Sequence, residues 1–324
     1  MGTVVLGTGS CLPERILTNE ELEKIVDTSA EWIKTRTGIE NRRIGGRGEQ
    51  TYQLAANAAK KALAAAGVPA EDLGLIVVGT ISSHMLMPSS ACFVQKEIGA
   101  VNAFAYDLNA ACSGFLYGLD LADKYIRADH SMKILIIGAE TLSSRLNWQD
   151  RNTCILFGDG AGAAVFGYSA SERGVIGSHL LSDGSLWDLL HMHAPQSLNP
   201  DLVVAGNTGA YIQMAGREVF KHAVRAMEDA VRRLLEKQDV AIKDINFVIP
   251  HQANMRILNN LIERLDIPQH KVFINVSKYG NTSAASIPIA LDEANRNGLI
   301  AEGDTVLFCS FGGGFTWGAT LIKW

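Results

Sequence analysis

The chain has 324 residues, of which 47% are apolar and 19% are charged, and its formal net charge is −5. This composition can build a substantial core in one large domain or two ordinary ones, and no segment is of low complexity. The negative balance argues against general nucleic-acid binding, which needs a basic surface. No stretch of about 18 residues is apolar throughout, so we expect no membrane span.

The cysteines are few and lie far apart in the chain. They are Cys11, Cys92, Cys112, Cys154 and Cys309. An odd number without Cys-x-x-Cys spacing favours a reduced protein over a disulfide scaffold or a zinc site. The N-terminus has neither the charged region nor the apolar region of a signal peptide. We therefore expect a cytoplasmic protein without a bound metal.

Helix and strand signals alternate along the chain. A capping box at Thr18–Glu21 predicts a helix from Asn19. The same form at Thr28–Glu31 predicts a second helix, with Trp32 and Arg36 on one face. Further helices are predicted over residues 52–66, 89–98, 112–126, 215–237, 257–265 and 283–295. Strands are predicted over residues 75–79, 104–108, 133–138, 161–167, 247–250, 272–275, 305–309 and 319–323, with an irregular stretch at 168–210. This alternation predicts an α/β fold with largely buried sheets.

A weak internal repeat divides the chain into two parts. The strand at 75–79 precedes Cys112 by about 34 residues, and the strand at 247–250 precedes Asn281 by about 32 residues. Each of these two residues opens a predicted helix that is followed by a comparable strand. We therefore predict two structurally similar halves, residues 1–170 and residues 171–324.

Cys112 is the candidate nucleophile, because a strand ends and a helix begins around it. Backbone N–H groups and the positive end of the helix dipole at such a position favour the thiolate. The thiolate is the species that forms thioesters. The small residues from Ala110 to Gly114 permit a tight turn and a close approach of substrate. The other four cysteines are expected to be inert, three of them in apolar segments.

His251 and Asn281 are candidate partners of this cysteine. His251 directly follows the strand at 247–250, at the end of a buried strand where α/β sheets place ligands. Asn281 lies in a Gly-Asn-Thr-Ser segment. Each residue alone also fits a structural role, as a satisfied buried histidine or as turn and N-cap chemistry. Convergence on one pocket would explain all three residues together.

The glycine-rich segment at 311–318 (FGGGFTWG) lies between two predicted strands. It lacks the Gly-Lys-Ser/Thr ending of a phosphate-binding loop. Its exposed backbone N–H groups can donate to an oxyanion, although a tight turn that needs positive φ is the alternative. The segment at 158–162 (GDGAG) has neither the fingerprint nor the setting of a dinucleotide site.

Together these segments resemble the β-ketoacyl-acyl carrier protein synthase III family of the thiolase superfamily, essentially from end to end. The matching segments are 7–10 (GTGS), 27–39 (DTSAEWIKTRTGI), 110–115 (AACSGF), 157–164 (FGDGAGAA), 250–254 (PHQAN), 279–286 (YGNTSAAS) and 311–318 (FGGGFTWG). The resemblance implies a thiolase-like, five-layered αβαβα fold built from two similar halves. It also implies a homodimer that uses a CoA thioester as substrate and no further cofactor.

The resemblance also implies a division of labour within a ping-pong mechanism. Cys112, His251 and Asn281 fall on the family's catalytic triad, and the backbone N–H groups of Cys112 and Gly313 on its oxyanion hole. Cys112 would take the acyl group from acyl-CoA. His251 and Asn281 would then donate hydrogen bonds to malonyl-acyl carrier protein, stabilising the enolate that forms when CO₂ leaves.

Binding residues carry over in the same way. The family's CoA contacts map onto Thr28, Trp32, Arg36, Arg151, Phe220, Ala253 and Asn254. Its carrier-protein contacts map onto Lys221 and Arg256, and Arg217 and Arg225 share the helix face of Lys221. Met87 falls where a partner subunit caps the primer pocket. This chain departs from relatives at Asn152, Arg217 and Glu263, and the basic helix face also fits an ordinary solvated surface.

Three other functions stay open at this point. A synthase III-like enzyme of specialised metabolism would use a longer or unusual acyl-CoA, and the segment at 185–212 is longer than in the relatives considered. A non-catalytic CoA-binding module would not need Cys112, His251 and Asn281 together. A cysteine hydrolase would need a base able to activate water. His191 and His193 do not by themselves make a metal site.

Overall fold

Short strands and helices alternate along the chain. The structure, a computed structural model, describes residues 2–204, 206–207 and 209–324. The strands are β1 Gly2–Cys11, β2 Ile16–Thr18, β3 Asn41–Arg43, β4 Leu73–Gly79, β5 Phe104–Leu108, β6 Lys133–Thr141, β7 Asp159–Ser169, β8 Gly174–Ser182, β9 Leu190–Met192, β10 Ile212–Met214, β11 Phe247–Pro250, β12 Thr305–Gly312 and β13 Thr316–Lys323. The helices are α1 Asn19–Leu22, α2 Ala30–Thr37, α3 Thr51–Ala66, α4 Ser90–Ile98, α5 Gly114–Ala128, α6 Arg151–Cys154, α7 Gly216–Gln238, α8 Met255–Leu265, α9 Val276–Tyr279 and α10 Ser286–Arg296.

Two mixed sheets carry most of the strands, while β2 pairs with β3 and β9 with β10 in two separate two-stranded sheets. The first has the order β1-β7-β6-β4-β5, and the second has the order β11-β12-β13-β8. In the first, β4 pairs in parallel with β5 and β6. In the second, β11 pairs in parallel with β12. A single parallel bridge from Val248 to Val272 occupies the edge position that β5 has in the first sheet. Each sheet draws its strands from one side of residue 170, while the division into halves at 170/171 stays a prediction.

Helices cover both faces of each sheet, so the layers alternate as αβαβα. Helices α3 and α4 pack on the outer face of the first sheet, and α7 and α8 pack on the outer face of the second. Helices α5 and α10 lie between the sheets and share one core with both. Successive strand residues enter different cores: Val77 faces the central layer and Val78 the outer one. Strands buried on both faces explain the continuous apolar runs in the sequence.

The structure corrects three element predictions. The irregular stretch at 168–210 contains β8, an edge strand whose partly exposed side chains give no clear alternation, and β9, which pairs with β10. Residues 272–275 form no strand beyond the bridge at Val272, because a 3₁₀ turn and α9 flank them closely. The N-cap of α2 is Ser29, whose Oγ accepts from the Trp32 N–H at 3.1 Å, and not Thr28.

The two predicted helices that begin at residues 112 and 283 both start with a 3₁₀ turn. One turn spans residues 111–113 before α5, and the other spans residues 283–285 before α10. Each turn stands directly before a central helix, so the middle residues of the two turns, Cys112 and Ala284, occupy equivalent positions. Asn281 then corresponds to Asn109, so the internal repeat predicted from the sequence, which pairs Asn281 with Cys112, matches the wrong residues.

The described cysteines are all unpaired. Cys154 and Cys309 are buried and Cys11 is half-buried, but Cys92 is exposed on α4. The expectation that its apolar segment would bury Cys92 is therefore wrong. Among the residues that the structure describes, no helix is long and apolar enough to cross a membrane.

Glycines let the two 3₁₀ turns meet between the sheets. A Cβ on Gly138 of β6 would lie 2.0 Å from the carbonyl oxygen of Ala284. A Cβ on Gly79 of β4 would lie 3.1 Å from the carbonyl carbon of Gly114, and one on Gly114 would lie 3.4 Å from the Ala284 Cβ. Backbone therefore packs on backbone at the point where α5 and α10 begin.

We expect Gly138→Ala to destabilise the protein by at least about 2 kcal/mol, because the new methyl group cannot fit without displacing the turn at 283–285. The midpoint of thermal or urea denaturation measures this loss. Gly184→Ala is the matched control, since a Cβ there meets nothing within 4 Å and no positive φ is involved. Equal stability of the two variants would contradict this account of the turn packing.

Candidate functional site

A cavity of about 410 Å³ opens at the starts of the two central helices. Cys112, His251, Asn281 and Gly313 all line it. These residues come from the turn before α5, the end of β11, the segment before α10 and the β12–β13 hairpin. The structure thus brings together every residue that the sequence predicts for the catalytic set and the oxyanion hole.

Cys112 is held rigidly and is nearly closed off, with 8% of its surface exposed. Ala111 before it adopts φ 45°, and the Ser310 hydroxyl donates to the Cys112 carbonyl oxygen at 2.9 Å. Burial raises the pKa of the Cys112 thiol to about 12, while the nearby Ser283 hydroxyl acts to lower it. Desolvation therefore opposes the thiolate that the start of a helix favours, and the prediction that this position favours the thiolate stays a prediction. The thiol needs a proton acceptor when it attacks.

His251 is buried and is held at one of its ring nitrogens. Its backbone N–H donates to the Cys309 carbonyl at 2.8 Å, and its Nδ1 lies 2.6 Å from Ser286 Oγ. That hydroxyl oxygen also accepts from the Gln252 N–H at 3.3 Å, so its own proton is available for Nδ1. Burial lowers the pKa of His251 to about 3. The ring is therefore uncharged, and its Nε2–H is a hydrogen-bond donor.

Asn281 also presents a donor. Its backbone N–H donates to the Leu156 carbonyl at 2.8 Å, and its carbonyl accepts from the Gly158 N–H at 3.0 Å. Its side-chain Oδ1 accepts from the Ser283 N–H at 2.8 Å, which fixes the orientation of the amide group. With the oxygen engaged, the Nδ2–H₂ group is left to donate. The strong turn chemistry of this segment thus serves to orient the amide.

The glycine-rich hairpin closes the cavity beside Cys112. A Cβ on Gly312 would lie 2.6 Å from the Cys112 backbone nitrogen, so only glycine allows the hairpin to approach this closely. Thr316 Oγ1 donates to the Ala110 carbonyl at 2.7 Å and ties the hairpin to the turn before α5. Gly314 has φ 139°, which confirms the need for positive φ in this segment.

The predicted CoA contacts form two groups at the approach to the cavity. Phe220, Ala253 and Asn254 line the cavity itself. Trp32 lies outside it, with the guanidinium carbon of Arg151 5.0 Å and that of Arg36 5.9 Å from the indole ring centroid. These positions are typical of cation–π contacts.

One further contact, from Asn254 to the Arg36 carbonyl, ties these groups to each other. Asn254 caps α8 by accepting from the Arg256 N–H at 2.8 Å, and its Nδ2 lies 3.4 Å from the Arg36 carbonyl oxygen. The Thr28 Oγ1 is buried and has no hydrogen-bond partner among the described residues.

The basic residues on α7 are exposed and close to this approach. Arg217, Lys221 and Arg225 recur every four residues along the helix, and Lys221 pairs with Glu218 at 2.8 Å. Arg256 on α8 lies with its guanidinium carbon 5.5 Å from the Phe220 ring centroid. A basic surface thus adjoins the predicted CoA contacts.

Met87 does not line the cavity of this chain, and 84% of its surface is exposed. Leu86 beside it is 87% exposed, and both precede α4 near the edge of the first sheet. In the longer segment at 185–212, Trp187, Leu190 and His191 line the cavity, in agreement with a loop near the pocket mouth. The described residues contain no group of three or more metal-ligating side chains arranged to hold an ion.

The sequence reasoning missed the residues that support this site. Ser286 and Gln252 orient His251, and Ser283 lines the cavity together with Cys112 and Asn281. The serines lie within the 279–286 segment, which was a usable signal. Glu140, fully buried at the end of β6, gave no signal beyond its place at a strand end.

Comparison with known proteins identifies the family. A family model for the C-terminal part of 3-oxoacyl-[acyl-carrier-protein] synthase III matches residues 235–324, and a model for 3-oxoacyl-[acyl-carrier-protein] synthase III matches residues 106–184. The chain is 61% identical over 324 residues, all of both chains, to a β-ketoacyl-[acyl-carrier-protein] synthase III of Desulfotalea psychrophila. The chain belongs to the β-ketoacyl-acyl carrier protein synthase III family.

Solved structures of this synthase III family share the fold. The crystal structure of 3-oxoacyl-[acyl-carrier-protein] synthase III from Aquifex aeolicus VF5 is 49% identical, has a TM-score of 0.93 and aligns over all of both chains. The priming β-ketosynthase from the R1128 polyketide biosynthetic pathway is 34% identical with a TM-score of 0.92, covering 99% of this chain and 96% of its own. The predicted thiolase-like fold is thereby confirmed.

The buried neutral His251 predicts a pH dependence of stability. Its folded pKa of about 3 lies below the ordinary 6.5, so between these values the unfolded state binds more protons and stability falls as pH falls. From pH 6.5 to pH 5 this group costs about 1.5 kcal/mol. We expect His251→Asn to lose that much less stability than the parent protein over this range, measured by urea denaturation. Parallel losses in the two proteins would contradict a neutral buried His251.

Proposed function

We propose that this chain is a β-ketoacyl-acyl carrier protein synthase III. It condenses an acyl-CoA primer, acetyl-CoA in the first instance, with malonyl-acyl carrier protein and releases CoA and CO₂. The product is a 3-oxoacyl-acyl carrier protein, and the step initiates fatty acid biosynthesis. The observation that carries the proposal is the convergence of a thiol, a neutral imidazole and an oriented amide on one cavity in a chain of this family.

In the first half-reaction, Cys112 Sγ attacks the thioester carbonyl of the primer. The backbone N–H groups of Cys112 and Gly313 hold the oxyanion of the tetrahedral intermediate. Collapse of the intermediate expels the CoA sulfur and leaves an acyl-Cys112 thioester. The close packing of Gly312 on the Cys112 nitrogen supports this arrangement, because it brings the hairpin backbone next to the nucleophile.

In the second half-reaction, His251 and Asn281 act on malonyl-acyl carrier protein. The Nε2–H of His251 and the Nδ2–H₂ of Asn281 donate to the thioester carbonyl oxygen of the malonyl group. Loss of CO₂ places negative charge on that oxygen, and fixed neutral donors stabilise it without reorganisation. The carbanion then attacks acyl-Cys112. The depressed pKa of His251 supports hydrogen-bond donation as its role, because a neutral ring keeps its donor over a wide pH range.

The approach to the cavity binds the CoA part of the primer. Trp32 stacks with the adenine ring, with Arg36 or Arg151 on the other face, and Thr28 contributes its unpaired hydroxyl. Phe220, Ala253 and Asn254 line the channel that the pantetheine arm follows to Cys112. The cation–π geometry at Trp32 and the polar cap at Asn254 support these roles. No further cofactor is needed for either half-reaction.

We propose a homodimer formed along β5. This strand ends the first sheet, and an unpaired edge invites pairing with another strand. Exposed apolar side chains lie at the start of this strand and before it in the sequence, among them Leu86, Met87, Val101 and Phe104. In such a dimer Met87 reaches the partner's cavity and caps its primer pocket. The unpaired cysteines fit a cytoplasmic location.

A second candidate is a related enzyme that uses a longer or unusual acyl-CoA. The apolar walls of the cavity, with Leu142, Leu156 and Ile212, favour an acyl chain without fixing its length. The likeness to a polyketide priming ketosynthase points in the same direction. Octanoyl-CoA as a far better primer than acetyl-CoA would decide for this candidate.

We expect the three catalytic side chains to separate the half-reactions. With radiolabelled acetyl-CoA, the parent protein, His251→Ala and Asn281→Ala all take up label, whereas Cys112→Ala takes up none. With malonyl-acyl carrier protein, Cys112→Ala retains some decarboxylation while the other two variants lose it. Lost acylation in a folded Asn281→Ala protein would contradict the assigned roles. Label released only as free acetate would favour a hydrolase.

We expect Arg256→Ala to raise the KM for malonyl-acyl carrier protein about fivefold, equivalent to roughly 1 kcal/mol for a surface charge, because the carrier is acidic. Steady-state kinetics at low and high salt measure the change, which salt should diminish. Lys221→Ala and Arg217→Ala should act in the same direction. Arg233→Ala is the control, since this exposed arginine already pairs with Asp229. Equal KM values for Arg256→Ala and Arg233→Ala would show that Arg256, on α8, does not contact the carrier protein.

A further inference from the structure

Glu140 is a carboxylic acid enclosed beside the proposed nucleophile. It lies one residue before the end of β6 and has no exposed surface. Its Oε2 accepts from Ser82 Oγ at 2.5 Å, from Thr80 Oγ1 at 3.2 Å and from the Ile81 N–H at 3.2 Å. None of these partners is a cation. A buried carboxyl with neutral donors alone is costly to keep ionised, so a purely structural role is a poor explanation.

Its second oxygen is the unusual part of the arrangement. Glu140 Oε1 is buried and has no hydrogen-bond partner among the described residues, and the same is true of Ser283 Oγ. Ser283 lines the cavity and adopts φ 50°, a strained value for serine that holds it at the start of the turn at 283–285. Because Gly138 lets that turn rest on β6, Ser283 is held next to the end of the strand that carries Glu140.

The Ser283 hydroxyl adjoins both the carboxyl and the thiol, and among the described residues no hydrogen bond joins it to either group. It is near enough to lower the pKa of Glu140 and the pKa of Cys112, and the charge of Glu140 raises the pKa of Cys112. A hydroxyl can accept one proton while it donates its own. A hydroxyl in this position relays a proton from the thiol to the carboxyl once it forms a hydrogen bond to each of them.

We propose that Glu140 takes the thiol proton of Cys112 through Ser283 and stores it while Cys112 carries the acyl group. This inference rests on the proposed function and deepens it. Glu140 is a positioning residue in this scheme, since it reaches the reacting sulfur only through Ser283.

Each proton and bond is accounted for over one turnover. As Cys112 Sγ bonds to the primer carbonyl carbon, its proton passes to Ser283 Oγ, and the Ser283 proton passes to Glu140 Oε1. The bond from that carbon to the CoA sulfur breaks, and the CoA thiolate takes a proton from solvent. When the carbanion later displaces Cys112, the sulfur leaves as a thiolate. Glu140 then returns its proton through Ser283 and restores the thiol.

His251 is the other base near the cavity, and its geometry makes it unsuited to this task. Its Nδ1 lies 2.6 Å from Ser286 Oγ, and in the tautomer that accepts this hydroxyl proton Nε2 already carries a proton. Burial also lowers the pKa of His251 to about 3. Burial raises the pKa of Glu140 to about 7, the range in which a group can both accept and return a proton near neutrality. The groups that face Glu140 from β4, from the loop after it and from the turn at 283–285 are otherwise uncharged.

A stored proton also explains a property that the acyl-enzyme needs. While Glu140 holds this proton it is a neutral acid and cannot activate water through Ser283. The acyl group is therefore protected from hydrolysis until the carbanion arrives. A carboxylate held permanently ionised at the same place would lack this protection.

The test follows the rate at which iodoacetamide alkylates Cys112 as a function of pH, read on the Cys112 peptide by mass spectrometry. We expect the rate in the parent protein to rise through an apparent pKa near 7. Glu140→Gln and Ser283→Ala should lose this rise and react at least about tenfold more slowly at pH 8. The exposed Cys92 in the same samples is the internal reference and should react equally in all variants.

Thr80→Val tests whether Glu140 has more than a structural role. A purely structural Glu140 would leave the pH dependence of alkylation unchanged in this variant. Thr80 donates to Glu140 Oε2 and lowers the pKa of Glu140, so its loss should shift the rise to higher pH and leave the plateau rate unchanged. Glu140→Asp should keep a rise at an altered pH. A rise in Glu140→Gln at the parent's pH, or an unshifted rise in Thr80→Val, would overturn the proposal.

Parallel labelling with acetyl-CoA separates this proposal from the proposed function. If alkylation shows the expected pH behaviour but no acetyl group reaches Cys112, the proton path stands and the primer assignment fails. If acetyl-CoA labels Cys112 and Glu140→Gln keeps the parent's pH profile of acetylation, the function stands and the proton path fails.

Discussion

The contact between two 3₁₀ turns is the constraint on which this structure depends. The turn at 111–113 begins α5, the turn at 283–285 begins α10, and the two meet between the sheets where Gly79, Gly114 and Gly138 leave no side chain in the way. This backbone-to-backbone packing lets the starts of α5 and α10 approach β4 and β6 of the first sheet closely. It also places Cys112 and Ser283 on the same cavity, although they are far apart in the chain.

Burial of the titratable groups gives the cavity its chemical character. Burial drives each titratable group toward its neutral form: it raises the pKa of Cys112 to about 12 and that of Glu140 to about 7, and it lowers that of His251 to about 3. Such a site stabilises a negative charge only where fixed hydrogen-bond donors point at it. Each of these hydrogen bonds is stronger than it would be in water, because the local dielectric is low. Ser286, Gln252 and the Ser283 N–H supply that orientation.

The parts of the fold that could be predicted are those with a local cause. Cys112 and His251 each follow a strand whose apolar run and bounding residues are visible in the sequence, and the helix at 216–238 shows a clear period. β8 escaped prediction because an edge strand is half-exposed and loses the alternation that marks a strand. The error in pairing Cys112 with Asn281 arose because only the structure shows that both helices start with a 3₁₀ turn.

The supporting residues of the site could not be predicted, because their roles are set by contacts across the fold. Ser286 meets His251 across 35 positions in the chain, and Ser310 reaches the Cys112 carbonyl across 198. Nothing local distinguishes Glu140 from an ordinary residue at a strand end. The exposed Cys92 shows that local sequence can also mislead. Its apolar neighbours in sequence face the core, while its own position on the helix faces outward.

The central claim is that Cys112 accepts an acyl group from a CoA thioester in this cavity. The most direct measurement is peptide mass spectrometry of the protein after incubation with acetyl-CoA, with Cys112→Ala as the control. The account predicts a single acetyl group, on the peptide that carries Cys112, which malonyl-acyl carrier protein removes as a 3-oxoacyl product. No acetyl group on that peptide, or the same labelling in Cys112→Ala, would contradict it.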